Sequence, residues 1–88
     1  MKIKNGFLLR QVGSQNIVVA VGDESRDFNG IIRLNETGRF LWEKLQTETT
    51  ESALTGAMLL EYDIDGATAE TDVADFIATL REAKLLNE

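Results

Sequence analysis

The feature that most constrains this chain is a change of period with no loop between. In "FNGIIRLNETGRFLWEKL" (28–45), "IIRL" is a short apolar run without helical spacing. Beyond Asn35 the apolar residues fall at 40, 41, 42 and 45, which suits a helix. Asn35 alone separates the two. Its side chain can accept a hydrogen bond from the free N–H groups of a first helical turn, so it reads as an N-cap. Glu36 just inside that turn suits the helix dipole. A strand that turns into a helix within one residue fixes a corner. It also carries the helix away from the strand's outer side.

Two strands precede the corner. "GFLLRQV" (6–12) and "QNIVVAV" (15–21) are apolar, alternating or β-branched, and Gly13-Ser14 between them fits a two-residue hairpin turn. The second run is apolar on both faces, as expected of a middle strand. "GDESRDFNG" (22–30) is polar, and its Asn29-Gly30 pair signals a turn before the third strand, 31–34. After the corner the chain is helical. The first helix runs to about Leu45, burying Phe40, Leu41 and Leu45, with Trp42 partly buried. Gly38 weakens it by roughly 1 kcal/mol relative to alanine and permits close approach of another backbone. Thr49 or Thr50 caps a second helix, about 50–62, with a stripe of Ala53, Leu54, Ala57, Met58 and Tyr62 and Leu60 at its margin. "DIDG" ends it. Asp65 or Thr68 caps a third, about 67–83, whose Ala69, Val73, Phe76, Ile77 and Leu80 form one amphipathic face. Leu85 and Leu86 close the domain. Strands first and helices after give an α+β fold: a three-stranded antiparallel sheet followed by three helices, winged-helix-like, in one domain over residues 1–88.

Composition narrows the chemistry. The 88 residues include no cysteine, histidine or proline. That excludes disulfides, thiolate and imidazole metal ligands, cysteine nucleophiles and histidine bases. Asp63, Asp65 and Gly66 lack the other ligands of a calcium loop. We therefore expect no enzyme, no metal and no cofactor. No apolar stretch approaches the ~20 residues a bilayer needs, and "MKIKNGFLLRQVG" lacks a signal-peptide pattern, so the expected location is cytoplasmic and away from membranes. Net charge is −6, unevenly spread: +1 over residues 1–49 and −7 over residues 50–88. An acidic second half opposes nucleic acid, which needs cationic surface, and favours a cationic peptide or protein.

The segments "DFNGIIRLNETGRFLWEKL" and "YDIDGATAETDVADFIATLREAKLL", behind a strand hairpin, resemble the PqqD family, named for pyrroloquinoline quinone biosynthesis. The resemblance spans nearly the whole chain and rests on structural patterns, chiefly "RLNETGRFLW" and Asp72 to Leu86. It implies a RiPP recognition element: a non-catalytic peptide chaperone that binds the leader segment of a ribosomally made precursor peptide. Such a module presents the precursor to a modifying enzyme, often a radical SAM protein. In the family the leader adds as a strand beside the third strand and lies against the third helix. Carried over, this points to Ile31, Ile32, Arg33 and Leu34, and to Asp72, Asp75, Phe76, Thr79 and Leu80.

The residues themselves fit that expectation. A strand edge can accept another strand, and "GIIRL" has no proline and one charge to guard it. Phe76, Ile77 and Leu80 belong first to the core. Phe76 lies toward a polar row of Thr68, Asp72, Asp75 and Thr79. An aromatic beside carboxylates suits a side chain with an apolar stem and a cationic head. Arg33 could instead pair with Glu36, and Trp42 could dock a partner. The alternative is a winged-helix DNA-binding transcription regulator, opposed by Glu70, Asp72 and Asp75 on its would-be recognition helix. An open edge also leaves a homodimer open.

Overall fold

The computed structural model describes residues 1–22 and 30–88; the turn expected at Asn29-Gly30 lies mostly outside them. Among the described residues five strands and three helices follow in order: β1 (Lys2–Ile3), β2 (Phe7–Val12), β3 (Gln15–Ala20), β4 (Ile32–Leu34), α1 (Glu36–Lys44), α2 (Glu51–Glu61), α3 (Gly66–Glu82) and β5 (Leu86–Asn87).

The expected hairpin is β2–β3, with Val12 opposite Gln15. Gly13 takes φ +61° and Ser14 does not share the left-handed region, the arrangement of a two-residue turn with glycine at its first central position. β3 is the middle strand, in the order β2-β3-β4. Its register places Phe7, Leu9, Val18, Ala20, Ile32 and Leu34 on one face of the sheet and Leu8, Arg10, Ile17, Val19 and Arg33 on the other. The first face meets the helices: Phe7, Val18 and Leu34 are buried with Leu41, Trp42, Leu45, Leu54, Met58, Val73, Ile77 and Leu80.

All three helices begin where a side-chain oxygen caps them. Asn35 Oδ1 accepts from the Gly38 N–H at 2.8 Å, Thr50 Oγ1 from Ala53 N–H at 3.1 Å and Asp65 Oδ1 from Thr68 N–H at 2.7 Å. Each satisfies a donor that the helix itself cannot. α3 ends on Lys84, whose φ of +62° is costly for a residue with a Cβ. The Leu85 N–H then donates to the Leu80 carbonyl at 2.9 Å, and the Lys84 N–H to Arg81 at 3.1 Å. This reversal turns Leu85 into the core and leads the chain into β5.

Several expectations are corrected. β5 pairs with β1 in a separate two-stranded ribbon that the pattern did not suggest; strands of two residues show no alternation to read. Ile31 precedes β4 rather than opening it. In α1 the buried face is Gly38, Leu41 and Trp42, continued by Leu45. Phe40 sits to one side, half-buried, edge-on to Tyr62 with ring centres 5.5 Å apart. Positions 38, 41, 42 and 45 are one helical face, and counting only large apolar residues hid it. In α2 only Leu54 and Met58 are buried; Leu60 is 92% exposed.

Candidate functional site

β4 lies at the end of its sheet. β3 pairs with it on one side, and among the described residues no strand pairs with the other. Its three residues alternate as the pleat requires: Ile32 half-buried, Arg33 exposed, Leu34 buried. Asn35 remains extended, at φ −78° and ψ −177°, and α1 begins at the next residue. The Asn35 amide oxygen also accepts from the Thr37 hydroxyl at 3.1 Å, which fixes its rotamer at the corner.

Beside this corner is a cleft of about 260 Å³, lined by the cap Asn35, by Thr37, Gly38 and Leu41 from α1 and by Asp72, Asp75, Phe76 and Thr79 from α3. Gly38 is where the two helices and β4 converge. A Cβ built there would stand 3.4 Å from Phe76 Cε1, 3.4 Å from Leu34 Cβ and 3.1 Å from Asn35 Oδ1. The glycine thus admits the Phe76 ring and the Leu34 side chain, rather than another backbone. Asp72 is half-buried and Asp75 exposed, and neither carboxylate is held by a hydrogen bond or an ion pair among the described residues. The Thr79 hydroxyl donates to the Asp75 carbonyl at 3.0 Å, tying it to its own helix. Arg33 likewise makes no ion pair with Glu36 or any other described carboxylate.

Of the residues singled out from the sequence, Asp72, Asp75, Phe76 and Thr79 line the cleft together. Ile32, Arg33 and Leu34 form the open edge, with Ile31, 55% exposed, just before it. Leu80 is fully buried and does not line the cleft. Trp42, 2% exposed, is a core residue and not a surface for docking. The α1 contribution was missed, although a glycine in the first turn of a well-capped helix was a signal for it.

A second, wider cleft of about 520 Å³ lies elsewhere, between the hairpin tip and the helices, lined by Gln11, Ser14, Asn16, Glu36, Arg39, Phe40, Glu43, Glu61 and Tyr62. Arg39 spans it, donating to Glu43 at 3.1 Å and to Asn16 at 3.3 Å. Desolvation, and then the charges of Glu36, Glu61 and Glu43, raise the Tyr62 hydroxyl above its usual range. The phenol is therefore no activated nucleophile. Among the described residues no three acidic side chains are grouped to hold a metal ion, and no helix is long and apolar enough to cross a membrane. What the first cleft and the free edge can do together is hold an extended main chain and one or two of its side chains.

A three-stranded antiparallel sheet, an immediate strand-to-helix corner and a helix pair walling one edge define a winged-helix-like α+β domain. The chain belongs to the family of coenzyme PQQ synthesis protein D (PqqD), whose model matches residues 16–86. Two solved structures share its fold. One is TbiB1 in complex with the TbiA(beta) leader peptide: 22% identical, TM-score 0.76, covering 99% of this chain and 95% of that one. The other is a lasso peptide synthetase B1 complexed with the leader peptide: 16% identical, TM-score 0.75, covering 99% and 96%. No curated protein sequence matches the chain.

Proposed function

We propose that this chain is a non-catalytic RiPP recognition element. It captures the leader segment of a ribosomally made precursor peptide as an added strand on β4 and presents the precursor to a modifying enzyme, such as a radical SAM protein. The observation that carries this reading is the position of β4: a sheet edge with no second partner strand among the described residues, beside the cleft between α1 and α3. Backbone hydrogen bonds along β4 supply affinity independent of sequence, and the cleft selects side chains at alternate positions. Family membership supports the reading, as do two relatives of the same fold that were solved with leader peptides. Phe76 beside two carboxylates that have no partner among the described residues favours a leader with hydrophobic anchors and at least one Lys or Arg.

Binding of DNA is not favoured. α3 presents Glu70, Asp72 and Asp75, and its Arg81 is engaged by Glu88 at 2.7 Å. Counterion release needs free cations where the phosphates lie. A salt titration against nonspecific duplex is expected to show no binding at low ionic strength.

The direct test is amide chemical-shift mapping of the labelled chain with the leader encoded by a short reading frame beside its gene. Shifts are expected at 31–34 and 72–79. Shifts gathered on β2 or in the second cleft, with β4 silent, would refute strand addition at this edge.

A further inference from the structure

Charged groups without a partner among the described residues flank β4 on opposite faces of the sheet. Ile32 and Leu34 share the face that meets the helices, where Phe76, Asp72 and Asp75 lie. Arg33 points to the other face, exposed and without an ion pair among the described residues. A strand added to β4 would inherit this division, because successive side chains of a strand alternate between faces. Residues in one of its rows would approach the cleft. Residues in the other would stand beside Arg33, where an opposite charge is favoured and a like charge disfavoured.

Resting on the strand-addition reading, we infer that this edge recognises charge by parity. The bound segment carries a Lys or Arg in the row facing α3 and an Asp or Glu in the row beside Arg33. The two are an odd number of residues apart. Along β4 and the extended Asn35, four residues in all, that separation is one or three. The ligand class is thus narrower than a cationic leader: an extended segment with opposite charges on opposite faces. The overall acidity of the chain would by itself select against any acidic residue in the ligand. Arg33 gives a local reason to prefer one.

The sheet contains its own control. Arg10 on β2 and Arg33 on β4 are both opposite Ile17, in the same row and on the same face, at the two edges of the sheet. Substituting either removes the same charge from an exposed position. Only Arg33 adjoins the proposed ligand.

A random dodecapeptide display library panned on the full chain tests this, with Arg33→Glu, Arg10→Glu and Asp72→Lys/Asp75→Lys as comparisons. Circular dichroism checks that each variant is folded. The wild-type chain is expected to enrich opposite charges one or three residues apart. Arg33→Glu should replace the acidic preference with a basic one and leave the other row unchanged. Arg10→Glu should alter neither. Asp72→Lys/Asp75→Lys should remove the basic preference alone. For a synthetic peptide taken from the wild-type selection, neutralising its acidic residue should weaken binding about two- to fivefold. The loss should shrink at high salt, as suits an exposed pair.

Selected peptides that shift the β4 amides but show no parity in their charges overturn this proposal and leave strand addition standing. Equal effects of Arg10→Glu and Arg33→Glu do the same. Peptides that bind without shifting β4, or no enrichment at all, overturn strand addition and the parity proposal together.

Discussion

The β2–β3–β4 sheet has two edges, and a matched pair of arginines marks them: Arg10 on β2 and Arg33 on β4, each opposite Ile17. β2 is the longer strand, with six residues against three, and its Leu8 and Val12 are 43% and 60% exposed. By length and apolarity alone it would be the better template for another strand. Yet the cleft begins at Asn35, the residue directly after β4, and includes no residue of β2. Beside β4, α1 leaves at once and α3 comes close enough for Phe76 to touch the space above Gly38. The difference teaches that an edge becomes a selective site through its wall. Main-chain hydrogen bonds are available to any strand, and discrimination needs side chains that the neighbouring element supplies.

The largest expected effect separates core from wall within α3. Leu80 is fully buried, while Phe76, four residues earlier, is half-buried at the cleft. Leu80→Ala should cost about 2–5 kcal/mol of stability in denaturant unfolding, with peptide affinity of the folded fraction little changed. Phe76→Ala should do the reverse, with a smaller stability loss and a clear affinity loss. If Leu80→Ala weakened binding in the folded state as much as Phe76→Ala, the wall would be the whole helix rather than its cleft-facing row.

Next is the corner itself. Gly38→Leu should weaken peptide binding by at least tenfold, about 1.4 kcal/mol, by calorimetric titration. The added side chain starts 3.4 Å from the Phe76 ring and must extend into the cleft. For Gly38→Ala, the gain of roughly 1 kcal/mol in helix propensity should be offset by crowding against Asn35 Oδ1 at 3.1 Å. Its melting temperature should therefore barely move. Unchanged affinity in Gly38→Leu would remove the cleft as the distinction between the two edges.

The same positions show what a sequence can and cannot disclose. The hairpin, the central β3, the cap Asn35 and, each as one of two candidates, the caps Thr50 and Asp65 were legible because each is local: a glycine turn, a run apolar on both faces, or an oxygen three residues before the N–H it accepts from. The four α3 residues at the cleft were pointed to by the family resemblance, and helical spacing sets them beside the buried stripe. Gly38, Thr37 and Leu41 were not assigned to the wall, since which helix meets Phe76 is a matter of tertiary packing. The β1–β5 ribbon escaped for the same reason, as it joins residues 2–3 to 86–87. Leu80, which the resemblance pointed to and the helical pattern put first in the core, is buried among Val73 and Ile77.

Caps sharpen the comparison on a finer scale. Thr50→Ala should cost about 1 kcal/mol in unfolding free energy and leave peptide binding unaltered, since α2 does not line the cleft. Asn35→Ala removes a comparable cap but also the oxygen that holds the Thr37 hydroxyl at the lip of the cleft. It should cost a similar amount of stability and, unlike Thr50→Ala, lower affinity. Equal behaviour of the two variants in both assays would make the corner a structural joint with no part in the site.

The smallest effect is electrostatic and falls on the two ends of the wall helix. The Thr68 N–H holds the Asp65 carboxyl below the usual carboxylate range at the start of α3. The Arg81 guanidinium does the same for Glu88 near its end, with contacts of 2.7 and 2.9 Å. Both folded-state values are depressed, so both contributions are complete above the unfolded values and fade as pH falls through the folded ones. Stability should therefore be level through neutral pH and decline below about pH 4, where carboxylates of the unfolded chain take up protons. Asp65→Asn retains an oxygen for the Thr68 N–H and removes the titration, so its decline should be shallower than that of the parent, and Arg81→Gln should flatten the Glu88 share likewise. Both groups are exposed, so raised salt should reduce the ionic Glu88 share before the hydrogen-bonded Asp65 share. An acid-induced loss of fold that both single variants share undiminished with the parent would mean that neither end of α3 governs it.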